Sequence, residues 1–324
     1  MNNNNLTERI EAIADAYEEI RTIAQQMVVG NQPLIELIFV SMISGGHLLI
    51  EGVPGTAKTT ICKTIARLID YDFKRVQGAV DIQPADIIGV RIYDRNKGEF
   101  VLQKGPIFTN FLMIDEINRL TPKTQSALLE AMSEGQTTID GITYPLADLY
   151  FTIATQNPYD AEGTFPLIDA QRDRFMFSAV LTHLDAENEL EVLRRERAGE
   201  LDWKIYQDRI TPILGPAEVK AMTATVSEVR VDEKVLEYMR DIVLATRSHS
   251  DIDLGASSRA SISFLRGSRA RAAIEGRDYA IPDDVRELAL PVLRHRIRLT
   301  REATITGIRP DTVINEILES VGVS

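Results

Sequence analysis

The chain has 324 residues, 44% of them hydrophobic and 26% charged, with a formal net charge of −12. That length accommodates two domains and a large core, and the acidic balance argues against a general affinity for nucleic acid, which rests on basic surface. A single cysteine, Cys62, excludes a disulfide framework within the chain and suits a reducing compartment, while His47, His183, His249 and His295 are scattered without metal-site spacing and read as packing or surface residues.

Met1 to Leu6 has neither the basic start nor the apolar core of a secretory signal. The most apolar region, Leu34 to Ile50, is broken by Glu36 and Gly45-Gly46 and is too short for a membrane span, so the expected location is the cytoplasm. Residues 7–27 carry Ile10, Ile13, Ala14, Tyr17, Ile20, Ile23 and Ala24 at helical spacing, and Pro33 opens a second helix to about Ile43. His47 to Ile50 then reads as a buried parallel strand, and Thr60 to Ile69 as a helix with Ile61, Ile65, Leu68 and Ile69 on one face.

Between them lies Glu51-Gly52-Val53-Pro54-Gly55-Thr56-Ala57-Lys58-Thr59. A glycine-rich turn that joins a strand to a helix and ends in Lys-Thr is the context of a phosphate-binding loop. Turn amides and the helix N-terminus point at an anion. Lys58 then reaches the terminal phosphates, and the Thr59 hydroxyl holds magnesium. Ala57 stands where the strict pattern has glycine.

Asp72 to Val76 is a short strand, and residues 78–106 interrupt the βα rhythm with a hairpin, Val90 to Tyr93 against Glu99 to Leu102. Phe111-Leu112-Met113-Ile114-Asp115-Glu116 is four apolar residues ending in two acids, which places the acids at the carboxyl edge of a parallel sheet. There Asp115 orients magnesium, directly or through water, and Glu116 polarises the attacking water. Thr121-Pro122 caps the next helix, and Asp140-Gly141 turns a second hairpin. Leu149 to Thr155 is another buried strand; Gln156-Asn157-Pro158 at its end fits a water-orienting amide or a turn before proline. Arg172 and Arg174 precede the strand Phe175 to Val180, and fit either surface ion pairs or positive charge offered to a phosphate across a subunit boundary. From about Thr182 the pattern is helical, over 185–198, 216–226, 232–248, 257–275 and 283–298, with a short final helix carrying Val313, Ile314, Ile317 and Leu318.

In this order the motifs Val29-Gly30-Asn31, Gly52 to Thr59, Asp115-Glu116-Ile117-Asn118-Arg119, Ala154 to Pro158, Asp173-Arg174-Phe175 and Gly255 to Arg259 resemble the MoxR family of AAA+ ATPases and, more distantly, the ATPase subunit of magnesium chelatase. The resemblance implies an α/β P-loop NTPase fold, a parallel sheet sandwiched by helices over residues 1–183, and an all-helical lid over 184–324. It implies a helix-2 insert at 78–106 and a pre-sensor hairpin at 136–147, both facing a central pore or a partner. Val29, Gly30, Gly52, Pro54, Gly55, Thr56, Ala57, Lys58, Thr59, Thr60 and Asp115 would bind ATP, with Thr59 and Asp115 on Mg²⁺. Asn157 looks like sensor 1, Arg174 (rather than Arg172) like the arginine finger that acts on a neighbour's ATP, and Arg259 like sensor 2, with its side of the subunit boundary left open. The family further implies a homo-oligomeric ring, a hexamer, and partners carrying a von Willebrand factor A domain. A scaffold with little turnover and a DNA-acting motor are the alternatives; Glu116 and Asn157 argue against the first and the net charge against the second. A guanine-specific switch is disfavoured because Asn96-Lys97-Gly98-Glu99 lacks the aspartate of the guanine signature.

Overall fold

Leu48–Gly52 (β1), Phe73–Gln77 (β2), Phe111–Asp115 (β5), Phe151–Gln156 (β8) and Phe177–Leu181 (β9) pair in parallel in the order β2-β5-β8-β1-β9. The computed structural model that shows this describes residues 3–53, 55–157, 163–203, 207 and 210–322. Pro54 and Pro158 lie outside the described residues.

The inner strands are buried and largely apolar because both faces are covered, with Thr152 and Thr155 the buried polar residues within β8. Leu48, Ile50, Phe111, Met113, Phe151 and Ile153 point into one core with helices α1 (Asn3–Met27), α2 (Gln32–Ile43) and α3 (Lys58–Leu68). Leu49, Leu112, Ile114 and Ala154 point into the other, against Leu128, Leu129, Ala131 and Met132 of α5 (Pro122–Glu134). Thr121 caps α5 as its sequence suggests, accepting from the Thr124 N–H, with Pro122 in the first turn.

The 78–106 stretch contains α4 (Pro84–Ile88) and an antiparallel hairpin of β3 (Gly89–Asp94) and β4 (Glu99–Lys104). A second hairpin joins β6 (Gln136–Ile139) to β7 (Ile142–Pro145). Its two turn residues, Asp140 and Gly141, have φ of 50° and 78°, the left-handed pair that a tight hairpin of this hand demands.

Past α6 (Asp169–Arg172) and β9 the chain is helical: α7 (Ala186–Arg197), α8 (Pro216–Glu228), α9 (Glu233–Ser248), α10 (Ser258–Ile274), α11 (Pro282–Leu293), α12 (Arg301–Ile305) and α13 (Pro310–Ser320). The N-terminal α1 touches α3 as well as α8 and α10. Among the described residues no helix is long and apolar enough to cross a membrane.

Two expectations need correction. The helix expected over 283–298 stops at Leu293, and Arg298–Leu299 (β11) instead pairs with Ile252–Leu254 (β10). The reason is tertiary: His295 and Arg296 turn inward to bond backbone carbonyls ahead of β9, and Arg298 pairs with Asp253 and Asp169. The helix after the glycine-rich turn begins at Lys58, two residues earlier than expected, so Lys58, Thr59 and Thr60 form its first turn.

Leu112 is fully buried, so Leu112→Ala is expected to lower unfolding stability by about 2–5 kcal/mol through lost burial and the cavity left behind, as read by urea denaturation.

Candidate functional site

β1 ends at Gly52, and the turn that follows opens on a cavity of about 370 Å³ at the carboxyl edge of the sheet. It is lined by Gly52, Gly55, Thr56, Ala57, Lys58, Thr59, Arg75, Asp115, Glu116, Thr155, Gln156 and Asn157. Nine of these residues, all but Arg75, Thr155 and Gln156, are ones that the sequence nominates.

Lys58 folds over the loop. Its Nζ donates to the Val53 carbonyl at 2.6 Å, and to the Gly52 carbonyl and Thr56 Oγ1 at 3.2 Å each. Burial pulls its pKa below the usual lysine value, and the nearby Asp115 and Glu116 charges oppose that pull. Ala57, the residue ahead of α3, has φ 56° and ψ 17°. This left-handed geometry costs an L-residue roughly 1–2 kcal/mol, which is why glycine is the usual choice at such a position.

The acidic pair is held by its neighbours. Thr155 Oγ1, one strand over on β8, donates to Asp115 Oδ1 at 2.6 Å and accepts from the Glu116 N–H at 3.0 Å. Arg75 on β2 ion-pairs with Asp115, and Gln77 Nε2 donates to Glu116 Oε2 at 3.1 Å. Arg119 Nε sits 2.9 Å from the same Glu116 oxygen. Glu116 has φ 56°, so the chain turns sharply as it leaves β5 and the carboxylate stays over the cavity. The strand next door must come close to permit this. A Cβ on Gly78 would lie 2.1 Å from the Glu116 carbonyl oxygen, so only glycine fits there. Gln156 Nε2 donates to Glu51 Oε1 at 2.6 Å, which ties the ends of β8 and β1 beside Asn157.

Several nominated residues lie elsewhere. Thr60 follows Thr59 in α3 without lining the cavity. Val29 is buried, and Gly30 packs near Leu184 and Asn188 ahead of and within α7. Arg174 and Arg259 line a second cavity of about 300 Å³, together with Arg266, Arg296, Asp173 and Gly45-Gly46-His47. Gly45 to His47 precede β1 and Met176 precedes β9, so this cavity is at the amino edge of the sheet. Five strand residues span about 16 Å, so the two cavities are separated by the depth of the sheet.

Arg174 Nη1 donates to the Leu129 carbonyl and to Ser133 Oγ, each at 3.0 Å. Arg172 instead pairs with Asp169 and does not line the cavity. Arg259 is half exposed and its Nη1 lies 3.3 Å from Asp173 Oδ2. Arg266 lies seven residues along α10 from Arg259, on the same helix face, and has no side-chain partner among the described residues. Four arginines against one aspartate make this cavity positive.

Two histidines prove to be packing groups. His47 lies with Nε2 3.1 Å from the Met132 carbonyl and Nδ1 accepting from the Thr152 N–H, and burial pushes its pKa down to about 4. His295 bridges the Phe175 carbonyl and Ser178 Oγ, and burial beside Arg296 likewise holds it neutral. Cys62 is buried in the core, where desolvation raises its thiol pKa.

A strand–turn–helix phosphate loop, with an acidic strand end one strand removed in a parallel sheet, defines a P-loop nucleotide-binding protein. Residues 47–177 match the model of the ATPase family associated with various cellular activities (AAA), and residues 244–317 match the AAA lid domain. The chain is 39% identical to the chaperone MoxR1 of Mycobacterium tuberculosis, over 92% of this chain and 79% of that one. It is 40% identical to the YeaC protein of Bacillus subtilis, over 92% of each chain. A Cytophaga hutchinsonii chain of known crystal structure superposes with a TM-score of 0.89 at 40% identity, over 98% of this chain and 97% of that one. More distant likeness reaches magnesium-chelatase subunits. The chain belongs to the MoxR family of AAA+ ATPases.

Ala57→Gly is expected to raise unfolding stability by up to about 1 kcal/mol, because relief of the left-handed strain exceeds the added freedom of glycine in the unfolded chain. A thermal melt that shows a lower midpoint would contradict the strain at this position.

Proposed function

We propose that this protein hydrolyses ATP in a ring of its own copies, with each nucleotide held by one subunit and completed by the next. The observation that carries this is the placement of the two cavities. The loop with Lys58, Asp115 and Glu116 occupies the carboxyl edge of the sheet, and Arg174 and Arg259 occupy the amino edge. The depth of the sheet lies between them, so the arginines of one chain suit the phosphates of another.

In this reading residues 1–183 are the nucleotide-binding body and 184–324 the lid. The turn amides and Lys58 bind the phosphates, with Lys58 exchanging its loop carbonyls for phosphate oxygens. The Thr59 hydroxyl and the Asp115 carboxylate are hard oxygen donors that line one cavity, a set that fits magnesium. Magnesium bound there would supply charge neutralisation of the phosphates. Glu116 and Asn157 orient the attacking water, and Gln77 and Arg119 hold the Glu116 carboxylate in place. Arg174 and Arg259 of the neighbour stabilise the charge that develops as the terminal phosphoryl leaves.

The MoxR1 relative is named a chaperone, which supports a role in remodelling partner proteins during assembly, maturation or metal insertion. A hexameric ring in the cytoplasm and a partner with a von Willebrand factor A domain complete this proposal on family grounds. The exposed hairpin residues Tyr93 and Phe100 are suited to contact such a partner.

Lys58→Ala is expected to abolish nucleotide binding, and Glu116→Gln to bind ATP while turning over at least about 100-fold more slowly, as read by fluorescent-nucleotide titration and phosphate release. Unchanged turnover would remove Glu116 from its role. Arg174→Ala is expected to lose about 10³-fold in kcat. Mixed with the inactive Glu116→Gln protein, it should regain activity, because intact loops then meet intact arginines. No recovery in the mixture would contradict action across the boundary.

A further inference from the structure

We infer that Arg296 is a positioning residue that locks the segment Asp173 to Met176 onto the helical lid, so that Arg174 and Arg259 are presented to the neighbour's nucleotide as one unit. Its guanidinium is buried, with 2% of the side chain exposed. Nε donates to Asp173 Oδ1 at 3.0 Å. Nη1 donates to the Met176 carbonyl at 3.0 Å and the Val292 carbonyl at 2.6 Å. Nη2 donates to the Phe175 carbonyl at 2.6 Å and to Ser263 Oγ at 3.1 Å. One side chain thus joins three pieces: the approach to β9, helix α10 through Ser263, and helix α11 through Val292.

Asp173 carries the connection outward. Its carboxylate takes Ser257 Oγ at 3.0 and 2.9 Å, and Ser257 is the cap that starts α10. The same carboxylate holds Arg259 at 3.3 Å. Arg174 is the next residue in the chain after Asp173, and it reaches the other way, to α5. A displacement of the lid is therefore transmitted through Arg296 and Asp173 to both cavity arginines. Arg259 has the longest of these contacts and is half exposed, so it is the member free to move onto an entering phosphate.

The cation type is also accounted for. Burying a charge is tolerated only when it is paired and its donors are used. The rigid fork of a guanidinium supplies five N–H donors in fixed directions, whereas an ammonium has three on one atom. Burial lowers the pKa of Arg296 to about 10, with Asp173 opposing the shift, so the group remains positive at neutral pH.

This inference rests on the proposed sharing of arginines between subunits, and the test separates the two. In the mixture of Arg174→Ala with Glu116→Gln subunits, only the second kind donates a working arginine edge. Arg296→Lys is added to one kind at a time. On the Glu116→Gln subunit it is expected to cut the recovered turnover about 100-fold, the scale of a small misplacement of a catalytic group, with KM for ATP unchanged. On the Arg174→Ala subunit the recovered turnover should stay as it was. Equal loss in both arms, or no loss in either, would overturn the inference while leaving the sharing of arginines intact. Asp173→Asn, which keeps the shape of the side chain, is run in the same two arms and judged by the same outcomes, so a folding failure of Arg296→Lys does not stop the test. If the parental mixture shows no recovery, the sharing is overturned and this inference falls with it.

Discussion

Parallel pairing of β1 between β8 and β9 is the constraint on which the rest of the molecule depends. A buried strand has to satisfy its backbone groups on both sides and cover both faces. Leu48, Leu49 and Ile50 meet the second demand by being apolar in succession, and the two cores form on either side. Once β1 is fixed, its two ends have different fates. The carboxyl end must turn into α3, and the turn becomes an anion cradle. The amino end, at Gly45 to His47, faces the arginine-rich cavity. A parallel sheet separates its edges by the length of its strands, so the loop with its acids and the arginine-rich cavity lie on opposite edges of one chain.

The electrostatics of the two edges follow the same division. At the carboxyl edge, carboxylates outnumber what Lys58 alone balances, and Arg75 and Arg119 make up the difference through ion pairs. At the amino edge the excess is positive, with Asp173 as the shared counter-charge for Arg259 and Arg296. Asp173 accepts from a buried cation, a half-exposed cation and a helix-capping hydroxyl together. That concentration of bonds ties the approach to β9 to the helical region through one carboxylate.

The hydrophobic runs, the glycine-rich turn, the acid pair after Ile114 and the two hairpins are local features, and the sequence was sufficient to place them. Strand type follows from apolar runs of four to six residues, and the Asp140-Gly141 turn from the preference of those residues for positive φ. Lys58, Thr59, Asp115, Glu116 and Asn157 converge in one cavity as their motifs imply. Strand order is not local. That β2 lies beside β5, and so delivers Arg75 and Gln77 to the acids, depends on which apolar edges bury each other, and no pattern within Lys74-Arg75-Val76-Gln77 announces it. Thr155 is silent for the same reason: it reads as a strand β-former until β8 is set beside β5.

The end of α11 shows the limit most directly. Residues 294–298 have a helical pattern, but besides the Val292 carbonyl of its own helix the guanidinium at 296 finds four acceptors on two distant pieces, the 173–176 segment and α10, and these draw the chain out of the helix. Periodicity registers burial along one element and says nothing of acceptors more than a hundred residues away. The chain's own residues thus settle what chemistry is available: a phosphate cradle, an acid pair, and arginines without partners in sequence. Folding settles which of these share a site and which are held apart by the sheet, because distance through the core is set by strand pairing rather than by spacing along the chain.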